Sequence, residues 1–248
     1  DIIAQMGFEG VDLTVRPGGH ILPERVKEEL PGAIDILKSK GLSVPMITTN
    51  ITNIEEGCAK DIYKVAANCG VKFLKLGYWR YEGFGRIKEQ IKKVKRQLKS
   101  IKSLSQDYGI CSAIHIHSGD VLSADAFIVY HLLEGFHSEA LGAYIDPAHM
   151  VIEGGKSGWK IGMDLLSDYI CLVAIKDFGW FPKGRKKWEI KWIPLSEGMV
   201  PWKEVFTYLK NINYNGYLSF HSEYKNMSID KLIEQTKQDL AYIQQFIK

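Results

Sequence analysis

Three stretches of the 248-residue chain end strand-like runs in side chains that bind metals or move protons. "CSAIHIHSGD" carries His115 and His117, "YIDPAHM" carries Asp146 and His149, and "YLSFHSEY" carries His221 and Glu223. A fourth, "CLVAIKD", ends in Lys176 and Asp177. Side chains alternate along a strand, so residues two apart share a face. His115 and His117 are therefore expected to point the same way, as are His221 and Glu223. Imidazole and carboxylate together suit Zn²⁺, Mn²⁺ or Fe²⁺. Such an ion could hold a sugar's carbonyl and neighbouring hydroxyl and stabilise an enediolate. The base that takes the proton could be Glu223, Lys176 with a depressed pKa, or a histidine such as His117. A lone strand-end histidine is more often a structural hydrogen-bonder. Several on separate strands, all at one end, argue for a site.

These side chains need a scaffold that gathers strand ends. Strands are expected at Gly10–Val15, Val44–Thr49, Lys72–Trp79, Ser112–His117, Gly142–Asp146, Cys171–Asp177 and Tyr217–Glu223. Helical patterns separate them. In "GRIKEQIKKVKRQLKSIKSL", Ile87, Ile91, Val94, Leu98 and Ile101 recur at spacings of four and three, which predicts one buried stripe beneath a solvated lysine-rich face. Strands alternating with helices imply parallel βαβ units. The chain opens on "DIIAQMGFEG", which reads as the end of a helix with no strand before it. A first strand upstream of Asp1 would complete a (β/α)8 TIM barrel. Length and the lack of a low-complexity linker suit one barrel domain over residues 1–248. Barrel strands converge on a site at their C-terminal ends. A long insertion after the seventh strand, "DFGWFPKGRKKWEIKWIPLSEGMVPWKEVF", is rich in aromatics. It reads in part as a hairpin turning at Lys183–Gly184. Trp180 could be a platform for a sugar ring, or the aromatics could cap the barrel mouth.

Composition narrows the function. With 32 basic and 29 acidic residues the net charge is +3, which gives no reason to expect a nucleic-acid partner. No apolar run is long enough for a membrane span. Four cysteines without a CxxC pair argue against a disulfide framework and lean toward a reducing compartment. Cytoplasmic residence is the default expectation, with export open should a signal peptide lie upstream.

The motifs "GFEGVDL", "DPAHM", "IKDFGW", "PLSEGMVPW" and "NYNGYLSFHSEY" follow one another along the whole chain. Their series resembles the xylose isomerase-like TIM barrels of the sugar phosphate isomerase/epimerase group. The resemblance implies a carbohydrate substrate and one divalent metal held by Glu, Asp, His and Glu from four strand ends. By position, the first Glu falls on His115 and the last on His221. The Asp falls on Asp146, and the His on Ala174. The fold carries over, whereas the family's two-glutamate proton transfer does not. The superfamily's abasic-site endonucleases use a three-metal cluster for which this chain lacks ligands, at Ala174 among others.

Three readings follow. In the first, His115, Asp146 and His221 hold a divalent metal (Mn, Zn or Fe), with Glu223, Lys176 and His117 as acid/base groups. In the second, the same acid/base groups work without metal, as a lyase or hydrolase on keto-sugar glycosides. In the third, the barrel binds sugar without catalysis. His149, Arg16, Glu153 and Trp180 are the expected substrate contacts. The substrate is a small carbohydrate in each reading, and a homo-oligomer is open.

Overall fold

The computed structural model describes residues 1–247. Seven parallel strands form one curled sheet: β1 (Leu13–Thr14), β2 (Met46–Thr48), β3 (Phe73–Lys75), β4 (Cys111–His115), β5 (Leu141–Ile145), β6 (Ile170–Ile175) and β9 (Tyr217–Phe220). They pair in that order, each with its neighbour in sequence apart from the inserted hairpin. The helices are α1 (Ile2–Gln5), α2 (Val26–Ser39), α3 (Ala59–Asn68), α4 (Ile87–Tyr108), α5 (Ala126–Leu133), α6 (Pro147–Leu165), α7 (Trp202–Asn211) and α8 (Ile229–Ile247). The result is an α/β barrel of the (β/α)8 type, slightly open between β9 and β1, which do not pair. Phe8 reaches across that opening and meets Phe220 edge-on, with ring centroids 5.3 Å apart. All seven strands expected from the sequence are present, most of them shorter than expected. The expectation of a further strand upstream of Asp1 falls outside the described residues.

Alternation along the strands separates two cores. One lies between sheet and helices. There α4 buries Val94, Leu98 and Ile101, with Ile87 and Ile91 at its margin. Each buried aliphatic side chain contributes about 1.5–3 kcal/mol, so this stripe fixes the helix while its lysines stay in water. Gly109 ends α4 with a φ of 61°, a left-handed conformation that costs glycine no Cβ clash. The second core fills the barrel itself: Met46, Ala113, Tyr144, Leu172 and Ala174, with Phe73 and Cys171 against them. This plug forms the floor on which the polar strand ends stand.

The insertion forms an antiparallel hairpin, β7 (Asp177–Pro182) and β8 (Trp188–Ile193). Its turn closes through Lys183 N–H donating to Lys187 O at 2.7 Å, as the sequence suggested. The four cysteines are free thiols. Among the described residues no helix is long and apolar enough to cross a membrane.

Candidate active site

The strand ends bring most of the expected residues together inside the barrel. Asp146 is fully buried and stands at the end of β5. It is also the N-cap of α6: its Oδ1 accepts the backbone N–H of His149 at 3.2 Å, and Pro147 takes the first helical position. Its other oxygen, Oδ2, faces the site. Lys176 Nζ lies 3.2 Å from it, His115 Nε2 3.5 Å and His149 Nε2 3.7 Å. Lys176 is 2% exposed and also approaches Glu223 Oε2 at 3.7 Å. The aromatic face of Trp192, from β8, covers the ammonium at 4.6 Å. Glu223, on the segment after β9, is half exposed, and its other oxygen lies 3.8 Å from His221 Nδ1. His221 and Glu223 thus face one another and the barrel axis.

Each histidine is held by one ring nitrogen. His115 Nδ1 shares a hydrogen bond with the Tyr78 hydroxyl at 2.8 Å. His149 Nδ1 does so with Ser118 Oγ at 2.8 Å, and His221 Nε2 with the Tyr144 hydroxyl at 2.9 Å. Three ring nitrogens are left buried and without a hydrogen-bond partner: His115 Nε2, His149 Nε2 and His221 Nδ1. Asp146 Oδ2 is in the same state. Leaving a buried polar atom unpaired costs about 1–3 kcal/mol. The three free ring nitrogens, beside the ion-paired Asp146 Oδ2, form a surface shaped for a polar guest. His117 bonds its own loop, Nδ1 donating to Ser118 O at 2.9 Å, and stacks near His149 with ring centroids 4.0 Å apart.

Burial lowers the pKa of all four imidazoles. His149 falls to about 3 and His221 to about 4; His115 and His117 also shift down. They are neutral near neutral pH, so the free nitrogens of His115, His149 and His221 can accept hydrogen bonds. Burial alone would push Asp146 up, but the neighbouring His149, Lys176 and His115 side chains outweigh it. The carboxyl is held well below its usual range. With the imidazoles neutral, the Lys176 ammonium is the lasting countercharge.

The other candidates lie further out. Glu153 accepts the Gly119 N–H at 3.3 Å and so braces a loop. Arg16 is exposed. Trp180 is 43% exposed and contacts Phe178 rather than the histidines; Trp192 is the hairpin aromatic at the site. Asp177 turns away from Lys176. Its Oδ1 accepts from Phe178, Met199 and Val200 N–H, and its Oδ2 from Trp202 Nε1. A Cβ on Gly198 would fall 1.9 Å from that carboxyl, so the loop before α7 needs a glycine there.

Sequence reasoning missed Tyr78, Tyr144 and Ser118, and it singled out Trp180 among the insertion's aromatics where Trp192 is the one at the site. It also missed a second polar group on the other wall of the barrel, Asp12 with Lys75. The signal for Tyr144 was present, because it precedes Asp146 by two and must share its face.

The expected ligands His115, Asp146 and His221 converge, but not as a metal site. Among the described residues no group of three or more His, Cys, Asp and Glu is arranged to hold an ion. The physical reason lies in Lys176 and Ala174. The ammonium already neutralises Asp146 Oδ2, and Ala174 offers no donor and is packed into the barrel plug. The side chains as placed do not fit a resident divalent ion.

The whole-chain pattern matches a known family. A family model described as "Xylose isomerase-like TIM barrel" matches residues 1–246. The chain therefore belongs to the xylose isomerase-like TIM barrel family. Among solved structures it is similar to 3-keto-D-glucoside 4-epimerase from E. coli, with a TM-score of 0.73 and 15% identity over 98% of this chain and 91% of that one. A xylose isomerase domain protein from Planctomyces limnophilus gives 0.68 and 18%, over 99% and 89%. D-allulose 3-epimerase from Methylomonas sp. gives 0.71 and 15%, over 98% and 88%. No curated protein matches.

Proposed function

We propose that the chain is a carbohydrate-active enzyme of the isomerase/epimerase type that moves a proton at the carbon next to a sugar carbonyl. One observation carries this: a buried ammonium, Lys176, stands between Asp146 and Glu223 and is ringed by histidines with free nitrogens. A carbonyl oxygen set against Lys176 would be polarised by it. Glu223, the carboxylate open to solvent, takes the proton from the adjacent carbon. The C–H electron pair moves into the C–C bond, and the carbonyl oxygen gains the charge. Lys176 stabilises that enolate where it forms, in a site with little water. The proton returns from protonated Glu223. Return to the same carbon after the intermediate turns its other face to Glu223 gives an epimer; return to the former carbonyl carbon, with the neighbouring hydroxyl's proton passing to the first carbonyl oxygen, gives an isomer. His115, His149 and His221 use their free nitrogens to hold sugar hydroxyls.

Keto-sugars are the first substrates to try, a choice that also draws on the 3-keto-D-glucoside 4-epimerase among the structural neighbours. The test is incubation of 3-keto-glycosides and 2-keto-hexoses in D2O, followed by NMR. Deuterium should enter at the carbon beside the carbonyl, and Glu223→Gln should abolish the exchange. No exchange with any of these sugars would overturn the proposal. Exchange accompanied by loss of the glycosidic group would assign the lyase reading instead.

A further inference from the structure

We infer that Lys176 takes the place of the family's divalent metal, so that the chain carries its cation as a side chain and excludes a metal ion from the site. Asp146 Oδ2 is the buried carboxylate oxygen that faces the site, and Lys176 Nζ lies 3.2 Å from it. An ion ligated by that oxygen would sit about 2.0–2.2 Å away. That position lies no more than about 5.4 Å from the ammonium, and the two positive charges would repel in a poorly solvated interior. Lys176 is also anchored at both sides, by Glu223 at 3.7 Å and by the Trp192 ring at 4.6 Å. The family's histidine position is Ala174, buried among Tyr144, Leu172 and Met46.

The remaining donors are nevertheless well prepared. His115, His149 and His221 each have one nitrogen fixed by Tyr78, Ser118 or Tyr144 and the other free, which is how outer-shell partners orient metal-binding imidazoles. One side chain therefore stands between this site and a metal centre, and removing its charge should open the centre. This inference does not depend on the sugar chemistry, because its test uses no substrate.

The experiment is a titration of chelator-treated protein with Co²⁺, followed by visible absorption, calorimetry and the melting temperature. The native chain should show no saturable uptake and no change in melting temperature. Lys176→Met should bind one Co²⁺ per chain at least about 100-fold more tightly than the native protein, acquire visible absorption bands and melt higher when loaded. Asp146→Ala in the Lys176→Met background should remove the new site. Stoichiometric Co²⁺ binding by the native chain, lost in Asp146→Ala, would overturn the inference whether or not Lys176→Met folds. So would a folded Lys176→Met that takes up no ion.

Discussion

Two lysine–aspartate pairs face each other across the inside of this barrel, and they behave oppositely. On one wall, Lys176 and Asp146 are in direct contact at 3.2 Å. Asp146 is held well below the usual carboxylate range despite complete burial. On the other wall, Asp12 precedes β1 and Lys75 ends β3. Among the described residues no carboxylate oxygen lies within 4.0 Å of Lys75 Nζ, which instead sits 3.6 Å over the Tyr78 ring. Burial there pushes Asp12 up to about 7, against a hydrogen bond from Thr48 and the pull of Lys75. It pushes Lys75 down to about 7, helped by Arg16 and opposed by Asp12. The residue types are the same and both lysines are nearly inaccessible, so the difference lies in what stands close to each carboxylate: His149, Lys176 and His115 beside Asp146, and a more distant Lys75 beside Asp12. Attraction between unit charges about 4 Å apart is roughly 4 kcal/mol at an effective dielectric of about 20, and it fades with distance. The cost of leaving water does not fade. The first pair is a fixed charge, and the second sits at the edge of ionisation.

The largest effect should come from breaking the contact pair. Asp146→Ala leaves the Lys176 ammonium buried, with only half-exposed Glu223 nearby. Breaking a buried pair costs about 3–5 kcal/mol, which urea unfolding would measure as a lower midpoint with an unchanged slope. A loss below about 1 kcal/mol would mean that the contact is not formed in solution. Next comes the matched lysine experiment. Lys176→Met should cost about as much as Asp146→Ala, whereas Lys75→Met should stay within about 1 kcal/mol of the native protein near pH 7, because Lys75 gains little from its charge. Equal costs for the two would erase the distinction drawn above.

A smaller, sign-specific effect concerns pH. Asp12 rises from 3.8 to about 7, so between those values the native state holds a proton that the unfolded chain has released. Its contribution to stability therefore falls as pH rises through that window. Lys75 drops from 10.5 to about 7, so above 7 the unfolded chain holds the extra proton and stability recovers toward 10.5. Asp146, with its pKa lowered, adds stability above 3.8 that is lost as pH falls. An Asp12→Asn, Lys75→Met double variant should flatten the dip near neutrality in a plot of unfolding free energy against pH and keep the acid limb. The smallest effect belongs to Trp180→Ala, which should change stability by no more than about 0.5 kcal/mol because Trp180 sits exposed on the hairpin. Trp192→Ala should be clearly worse, since that ring covers Lys176.

The sequence revealed the strands because their apolar alternation is a local property. It revealed the strand-end chemistry for the same reason: His221 with Glu223 is a spacing of two on one strand. The dual role of Asp146 was also written locally, in "DPAH", as an N-cap followed by proline. Lys75 is different. Nothing adjacent to it in sequence marks it as buried, and its neighbour Asp12 is distant along the chain. Only strand pairing, Thr14 against Thr48 and Thr48 against Lys75, brings that wall together. The direction of Asp177 was hidden too, because three of its four donors come from the loop before α7 and from Trp202.

The open seam between β9 and β1 has a consequence for exchange of backbone amide protons. Strands β4 and β5 lie mid-sheet, with every residue buried, whereas β9 is an edge strand with Tyr217 45% exposed. Edge strands open locally at low free-energy cost, and fully buried central ones open only near global unfolding. Deuterium should therefore enter β9 and β1 first and the β4–β5 ladder last. His115 and Asp146 stand on the slow-exchanging side of the barrel. His221 and Glu223 stand on the side that breathes, so the two walls of the candidate site differ in how readily they open.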